Sequence, residues 1–428
     1  MRYGKGETPR PVAIVGGIRT PFARAGTNFA NLSNLSLLSE CFKALVDKYH
    51  LKGKTIGDVA AGAVINQSRD WNLTREAVLK SGLSLETPAM GIQRACGTSL
   101  EAAINIGNKI SLGQIESGIA GGVDSMSDVP VFYRPELAKS ILSLAKAKSL
   151  SDKIKILMGI RLKDLKPAFP AVTESLTGLS MGESCELMAQ HWHIPREGQD
   201  ELSFKSHQNG IKAYERGFYK DLIVPLNGLS QDNNLRADTS IEKLAKLRPS
   251  FEKSSKGTLT AGNSSPLTDG AASVLMCSEE YASKNNLKVQ AYLTHCEVAA
   301  VDFTEEGLLM APAYAVSRML DRAGLKLQDF DLYEIHEAFA AQVLCTLKAW
   351  ESESFCRDKL KRTSALGSID RSKLNVAGGS VALGHPFGAT GARILATAAK
   401  LLDERGKGRL LISICTGGGM GVTAILEK

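Results

Sequence analysis

The chain has 428 residues, 43% hydrophobic and 23% charged, with 40 glycines and a formal net charge of +7. That length holds two or three units of ordinary domain size, and the composition fits an α/β protein with many strand-to-helix turns. No apolar run approaches the roughly 18–20 residues of a membrane span, and a modest positive charge without a nucleic-acid motif suits an anionic small molecule or an acidic surface rather than nucleic acid.

The N-terminal stretch M-R-Y-G-K-G-E-T-P-R-P lacks the apolar core of a signal peptide and reaches its first strand too soon for a long transit segment, so an intracellular, cytoplasmic protein is expected. Residues 11–18 form that strand; Val15-Gly16-Gly17 does not make the G-x-G-x-x-G pattern of a dinucleotide site. Helical spacing of Leu37, Leu38, Cys41 and Leu45 behind a Ser33 N-cap predicts a helix over 33–48. Strand 57–65, a helix around 75–80, strand 89–95, helix 98–112 and a buried strand within 116–126 follow. Strands alternating with helices over such distances argue for parallel βαβ units.

The text changes between 127 and 255. Residues 134–166 are rich in Lys and Arg with apolar residues at helical spacing, a helix pair covers 182–192 and 197–217, and a polar stretch runs over 231–236. This reads as an excursion carrying its own helices, between a first unit (1–126 with 256–288) and a second (289–428). The second unit is expected to hold helix 312–323, strand 329–335, helix 337–351, strand 373–377, helix 388–403 and strands 409–415 and 421–426. The two units echo each other in element order, Cys96 and its helix against His385 and its helix.

The eight cysteines (41, 96, 185, 277, 296, 345, 356 and 415) show no C-x-x-C pair, so reduced thiols are expected. Cys96, in M-G-I-Q-R-A-C-G-T-S-L-E-A-A-I, opens a helix, where free amides and the helix dipole lower a thiol pKa. It is a candidate nucleophile; the ordinary reading is a small core residue at a tight turn. His385, in G-H-P-F-G-A-T-G, is a candidate base for such a thiol or a histidine capping its own loop. Cys415 ends a strand before T-G-G-G-M-G, whose unobstructed amides are what an oxyanion needs; the Walker lysine that would favour phosphate is missing. His336, in Y-E-I-H-E-A-F-A, sits at another strand end. H-W-H at 191–193 has no accompanying ligands, and no metal site is expected. The basic segment is either a solvated helix face or a docking or membrane-surface element.

Taken in order, the Cys96 region, S-S-P-L-T-D-G-A-A, H-E-A-F-A, G-G-S-V-A-L-G-H-P-F-G-A-T-G-A-R and C-T-G-G-G-M-G resemble the thiolase family over essentially the whole chain. The resemblance implies a five-layered αβαβα fold of two similar halves with an inserted loop domain. It implies that Cys96 attacks a 3-ketoacyl-CoA and keeps the acyl group as a thioester, that His385 activates Cys96, and that Cys415 protonates the departing acetyl-CoA enolate. It further implies that His385 and a water at the position of His336 hold one oxyanion, and that the amides of Cys96 and Gly417 hold the other. Ser265 and Met181 match CoA-side positions, and coenzyme A enters as substrate, with no permanently bound cofactor. Many thiolases have Asn where this chain has His336, and Ser180 stands where acetoacetyl-type enzymes often have His.

H-E-A-F-A and the basic insert resemble the β subunit of the trifunctional fatty-acid oxidation complex. That implies a homodimer or higher assembly with an α subunit carrying hydratase and 3-hydroxyacyl-CoA dehydrogenase activities, contacted, like any membrane surface, through 134–166. The alternatives are a biosynthetic acetoacetyl-CoA thiolase, a ketoacyl-synthase-type condensing enzyme, which would need no second thiol, and a lipid-binding scaffold, which would need neither.

Overall fold

A computed structural model describes residues 9–170 and 173–428; most of the N-terminal stretch read for targeting, residues 1–8, lies outside it. Among the described residues there are ten strands: β1 (Ala13–Arg19), β2 (Ala23–Arg24), β3 (Asp58–Ala61), β4 (Ala89–Gly91), β5 (Ser117–Asp124), β6 (Thr268–Cys277), β7 (Ala291–Ala300), β8 (Leu332–Ile335), β9 (Arg409–Thr416) and β10 (Met420–Glu427). They join in the order β4-β3-β5-β6-β1-β7-β10-β9-β8, with β2 on β6. Only two residue pairs, Ala13 with Tyr292 and Ile14 with Ala291, link the halves at β1 and β7.

Side-chain alternation along the strands separates the cores. On β6, Ala272, Val274 and Met276 face a central cluster, whereas Ala271, Leu275 and Cys277 face an outer one. On β9, Leu410, Ile412 and Ile414 point to the centre and Leu411 and Cys415 to the opposite outer core. The centre is filled by helices Thr98–Ser111 and Thr390–Arg405, which pack on each other; Asn34–Lys48 and Leu73–Lys80 cover one outer face, and Ala311–Ala323 with Ala340–Glu351 the other. These make five layers, αβαβα, as the resemblance implies. Fully buried Leu100, Ile106, Leu395 and Leu402 contribute about 1.5–3 kcal/mol each to the central layer.

The echo between the halves is visible in the pairing. β4–β3 and β3–β5 are parallel and β5–β6 and β6–β1 antiparallel. In the second half, Leu374–Tyr333 and β8–β9 are parallel and β9–β10 and β10–β7 antiparallel. The sheet is thus mixed, not parallel throughout. β9 and β10 are joined by a three-residue turn, which permits only antiparallel pairing.

Several expected elements are shortened for identifiable reasons. Strand 57–65 stops at Ala61, and beyond it the amides of Val64 and Ile65 donate to the Asp124 carboxylate. Strand 89–95 stops at Gly91; Ala95 is left-handed (φ 42°) and Thr98 Oγ1 takes the Arg94 amide. Strand 373–377 is absent apart from the bridge at Leu374. Asn375 turns left-handed (φ 46°), and its side chain accepts from Ile335 N and donates to Ile335 O, both at 2.9 Å, replacing the backbone pairing.

The insert has two parts. Helices Met181–His191 and Arg196–Glu215 pack against Ala340–Glu351. The polar stretch 231–236 is no solvated linker: Asp232 is buried and takes both terminal nitrogens of Arg19 at 2.6 and 2.7 Å, the Phe22 amide and the Tyr214 hydroxyl, tying the insert to the end of β1. The hairpin Pro135–Lys146 and Leu150–Met158 instead stands out; it buries only Leu137 and exposes Leu142, Leu150, Ile154 and Met158. No helix among the described residues is long and apolar enough to cross a membrane.

Candidate active site

Four sequence-predicted residues meet at the C-terminal ends of parallel-paired segments, where open α/β sheets place their ligands. Cys96 follows β4, His336 follows β8, Cys415 lies near the end of β9, and His385 follows the segment paired through Leu374. The glycines make the approach possible. A Cβ on Gly97 would lie 2.8 Å from Val422 Cγ2, and Gly384, at φ 108°, has no room for one beside Asn234 and Thr268.

Cys96 Sγ lies 3.3 Å from His385 Nε2. The other ring nitrogen, Nδ1, is 2.6 Å from Thr390 Oγ1, and that hydroxyl lies 3.1 Å from the Pro386 carbonyl oxygen. Because Thr390 spends its one proton on Pro386, it accepts from His385 Nδ1–H, which leaves the Nε2 lone pair facing the thiol. Burial, with Arg393 adding to it, lowers the His385 pKa to about 3, so the ring is neutral.

The thiol departs from the helix-terminus expectation. Burial pushes Cys96 up to about 12 and outweighs the lowering by the amides of Gly417 and of Cys96 itself. At rest the pair is therefore a neutral thiol and a neutral imidazole, and the proton moves as the sulfur attacks. Those same two amides, beside the sulfur, are the donors expected for an oxyanion on the acyl adduct; one such donor is typically worth about 3–4 kcal/mol. Cys415 is buried, and burial together with neighbouring Cys96 holds its thiol well above the ordinary range, which keeps it a proton donor.

His336 Nδ1 is 2.8 Å from Ser380 Oγ, and Ser380 also accepts from Arg393 Nη2 at 2.7 Å. When Ser380 donates to Nδ1, the neutral His336 ring carries its hydrogen on Nε2. Among the described residues that Nε2 is buried without a partner, and the two imidazole rings lie 4.2 Å apart between centroids, tilted by 52°. Burial and the neighbours His385 and Arg393 lower the His336 pKa well below its ordinary value. With that tautomer the ring is a neutral N–H donor. Behind it Arg393 Nη1 is 3.7 Å from Glu334, whose carboxyl burial raises to about 8.

Ser265 anchors its backbone N–H to Ala338 O and lines a cavity of about 580 Å³ with Arg24, Arg236, Lys243, Leu247 and Phe251. Three cationic side chains beside an apolar wall suit a phosphate-bearing ligand. Met181 lies beside Gly417, its sulfur 3.6 Å from where a Cβ there would sit. Ser180 is the N-cap of that helix, reciprocally bonded to Glu183. The sequence reading missed the partners that set the histidine tautomers, Ser380, Thr390 and Arg393, though all three lie within the glycine-rich run around His385. It also missed Glu174, whose carboxylate accepts the Gly418 amide at 2.8 Å. The histidines of H-W-H stand apart from this site, His191 at a helix end and His193 in the turn after it.

Two family models match the chain: the thiolase N-terminal domain over residues 12–280 and the thiolase C-terminal domain over 287–428. The chain belongs to the thiolase family. Among its relatives are proteins named 3-ketoacyl-CoA thiolase from Vibrio cholerae, 42% identical over 97% of each chain, and from Pectobacterium carotovorum, 42% identical over 97% of this chain and 96% of the other. Similar solved structures include the Bacillus anthracis acetyl-CoA acetyltransferase and human mitochondrial 3-ketoacyl-CoA thiolase. Each has a TM-score of 0.81 at 30% identity and covers 98% of this chain and 99% of its own. The human enzyme also matches in complex with CoA, with a TM-score of 0.80.

Proposed function

We propose that this chain is a 3-ketoacyl-CoA thiolase, an acetyl-CoA C-acyltransferase of fatty-acid β-oxidation. The observation that carries the reading is the 3.3 Å contact between Cys96 Sγ and a His385 Nε2 whose lone pair is fixed by Thr390, with a second buried thiol, Cys415, beside it.

Cys96 sulfur attacks C3 of a 3-ketoacyl-CoA as His385 takes the thiol proton. The C2–C3 bond then breaks, leaving the acyl group as a Cys96 thioester, and C2 takes a proton from Cys415 to leave as acetyl-CoA. Free CoA gives its thiol proton to the Cys415 thiolate and attacks the thioester, the shortened acyl-CoA departs, and the released Cys96 sulfur takes back the proton held by His385. His336 Nε2–H and His385 serve the enolate thioester oxygen; the amides of Cys96 and Gly417 serve the tetrahedral oxyanion. A second thiol has a purpose here because the carbanion is made by C–C cleavage, which supports thiolysis over a decarboxylating synthase.

CoA and acyl-CoA lie in the cavity at Ser265, their phosphates near Arg24, Arg236 and Lys243, and the acyl end reaches toward Met181 beside Gly417. Functionally the chain divides into 1–126 with 256–288, an insert over 127–255, and 289–428. It works as a homodimer or larger assembly in the cytoplasm, with the exposed hairpin of 134–166 docking an α subunit that carries hydratase and dehydrogenase activities. The test is thiolysis rate against 3-ketoacyl-CoA chain length, with Cys96→Ala as control. Activity on medium and long chains, lost in the control, supports the reading. Activity confined to acetoacetyl-CoA would overturn it in favour of a biosynthetic thiolase.

A further inference from the structure

We infer that the Cys96–His336–His385 cluster is a binding site for a thiophilic divalent cation of the zinc type, which occupies the place of the ketone carbonyl and reversibly silences the enzyme. One donor atom from each residue lies within 4.8 Å of the other two. Tetrahedral zinc, with bonds of about 2.0–2.1 Å to nitrogen and 2.3 Å to sulfur, places its donors about 3.4–3.6 Å apart. Cys96 and His385 already stand at 3.3 Å, so closing the set requires His336 to come in from within 4.8 Å.

Two independent features go beyond mere proximity. The first is that His336 is 1% exposed, yet among the described residues its Nε2 has no partner, so this nitrogen is free to bind an ion once the ring hydrogen moves to Nδ1. The second is the outer shell: each imidazole has its other nitrogen held by a hydroxyl, Nδ1 of His336 by Ser380 and Nδ1 of His385 by Thr390. Metal-binding histidines are typically oriented in this way, by a partner on the ring nitrogen that does not touch the ion. No carboxylate belongs to the cluster, so oxygen-seeking Mg²⁺ and Ca²⁺ are disfavoured, and one thiolate with two imidazoles selects zinc-like ions.

The proton balance closes within these residues. On binding, the Cys96 thiol loses its proton to solvent and the thiolate bonds the ion. The His336 hydrogen moves from Nε2 to Nδ1, and Ser380, previously donor to that ring, becomes its acceptor while still accepting from Arg393. One proton is released per ion. The fourth coordination position stays open to water or to a substrate thiol. An acyl group on Cys96 removes the sulfur from the set, so the free enzyme binds the ion and the acyl-enzyme does not.

The test is titration of the CoA-free protein with Co²⁺, following the thiolate-to-cobalt charge-transfer band, with Zn²⁺ displacement giving the zinc affinity. One equivalent is expected to bind with that band. Cys96→Ser should abolish the band, His336→Asn should weaken binding at least tenfold, and prior acylation with acetyl-CoA should block it. Circular dichroism on each variant separates loss of a ligand from loss of the fold. Absence of the band in the folded wild-type protein, or binding that neither variant changes, would overturn the inference. Because the readout needs no turnover, it stands or falls separately from the thiolysis assay on the same preparation.

Discussion

Ser380 shows how a single hydroxyl sets the protonation of a residue at the reacting centre. It touches no reacting atom; it holds Nδ1 of His336 and, when it donates there, leaves the hydrogen on Nε2. Ser380→Ala should lower kcat about tenfold, the equivalent of one hydrogen bond, with little change in KM, and Ser380→Thr should restore most of the loss. A merely structural role would instead lower thermal stability, and the conservative variant would not separate kcat from KM. Cys415 makes a sharper case. If it is the proton donor for the enolate, Cys415→Ala should slow thiolysis roughly 100- to 10,000-fold yet leave Cys96 able to take an acyl group from acyl-CoA, a half-reaction with no C–C cleavage, read by intact-protein mass spectrometry. The residue types at these positions were legible in the sequence. The thiol pKa was not: the helix terminus argues for a lowered value, and burial, invisible in local text, overrides it.

At the scale of elements, the clamp between Arg19 at the end of β1 and Asp232 in the insert holds two segments more than 200 positions apart in the chain. Both side chains are almost fully buried. Asp232→Ala leaves the Arg19 charge without its counter-charge and should cost about 3–5 kcal/mol, measured as a fall in the urea midpoint. His207, in helix Arg196–Glu215, accepts the Arg236 amide at 3.2 Å, and burial with nearby Arg236 lowers its pKa to about 4, against a slight raise from Asp238. A base whose folded pKa is depressed leaves stability intact above its ordinary value near 6.5 and loses it as pH falls toward 4. The full span amounts to about 3 kcal/mol. His207→Gln, which keeps an acceptor but does not titrate, should flatten the melting-temperature profile between pH 6.5 and 4. Long helices with one apolar stripe, such as Asn34–Lys48 and Thr98–Ser111, were readable from spacing and caps. β7 was not, because A-Y-L-T-H-C-E-V-A-A lacks clean alternation, and its pairing with β10 and β1 is what makes it a strand.

For the whole molecule, the exposed hairpin is the part that the catalytic fold does not require. Its helix Leu150–Met158 buries no residue, an arrangement unusual for nine residues that include two leucines, an isoleucine pair and a methionine. If it docks an α subunit, replacing Lys139, Lys146, Lys148, Lys153 and Lys155 with serine should leave thiolysis of soluble substrates within about twofold and abolish co-purification with that subunit. Loss of intrinsic activity would count against a docking role, and retained association would place the contact elsewhere. Binding of the wild type, but not the variant, to anionic vesicles would reassign the hairpin to a membrane surface.

The sequence by itself determined the family and the order of its motifs, and it carried the two-unit plan and the candidate reactive residues as expectations. These depend on residue type and on motifs a few residues long, where glycine, proline and polar caps act locally. Tertiary structure alone decided the mixed sheet, the protonation states of Cys96, His336 and His385, the partners beside them, and the internal anchorage of the polar stretch 231–236. Each of these turns on desolvation or on hydrogen bonds between residues far apart in the chain, and neither quantity is present until the chain has folded.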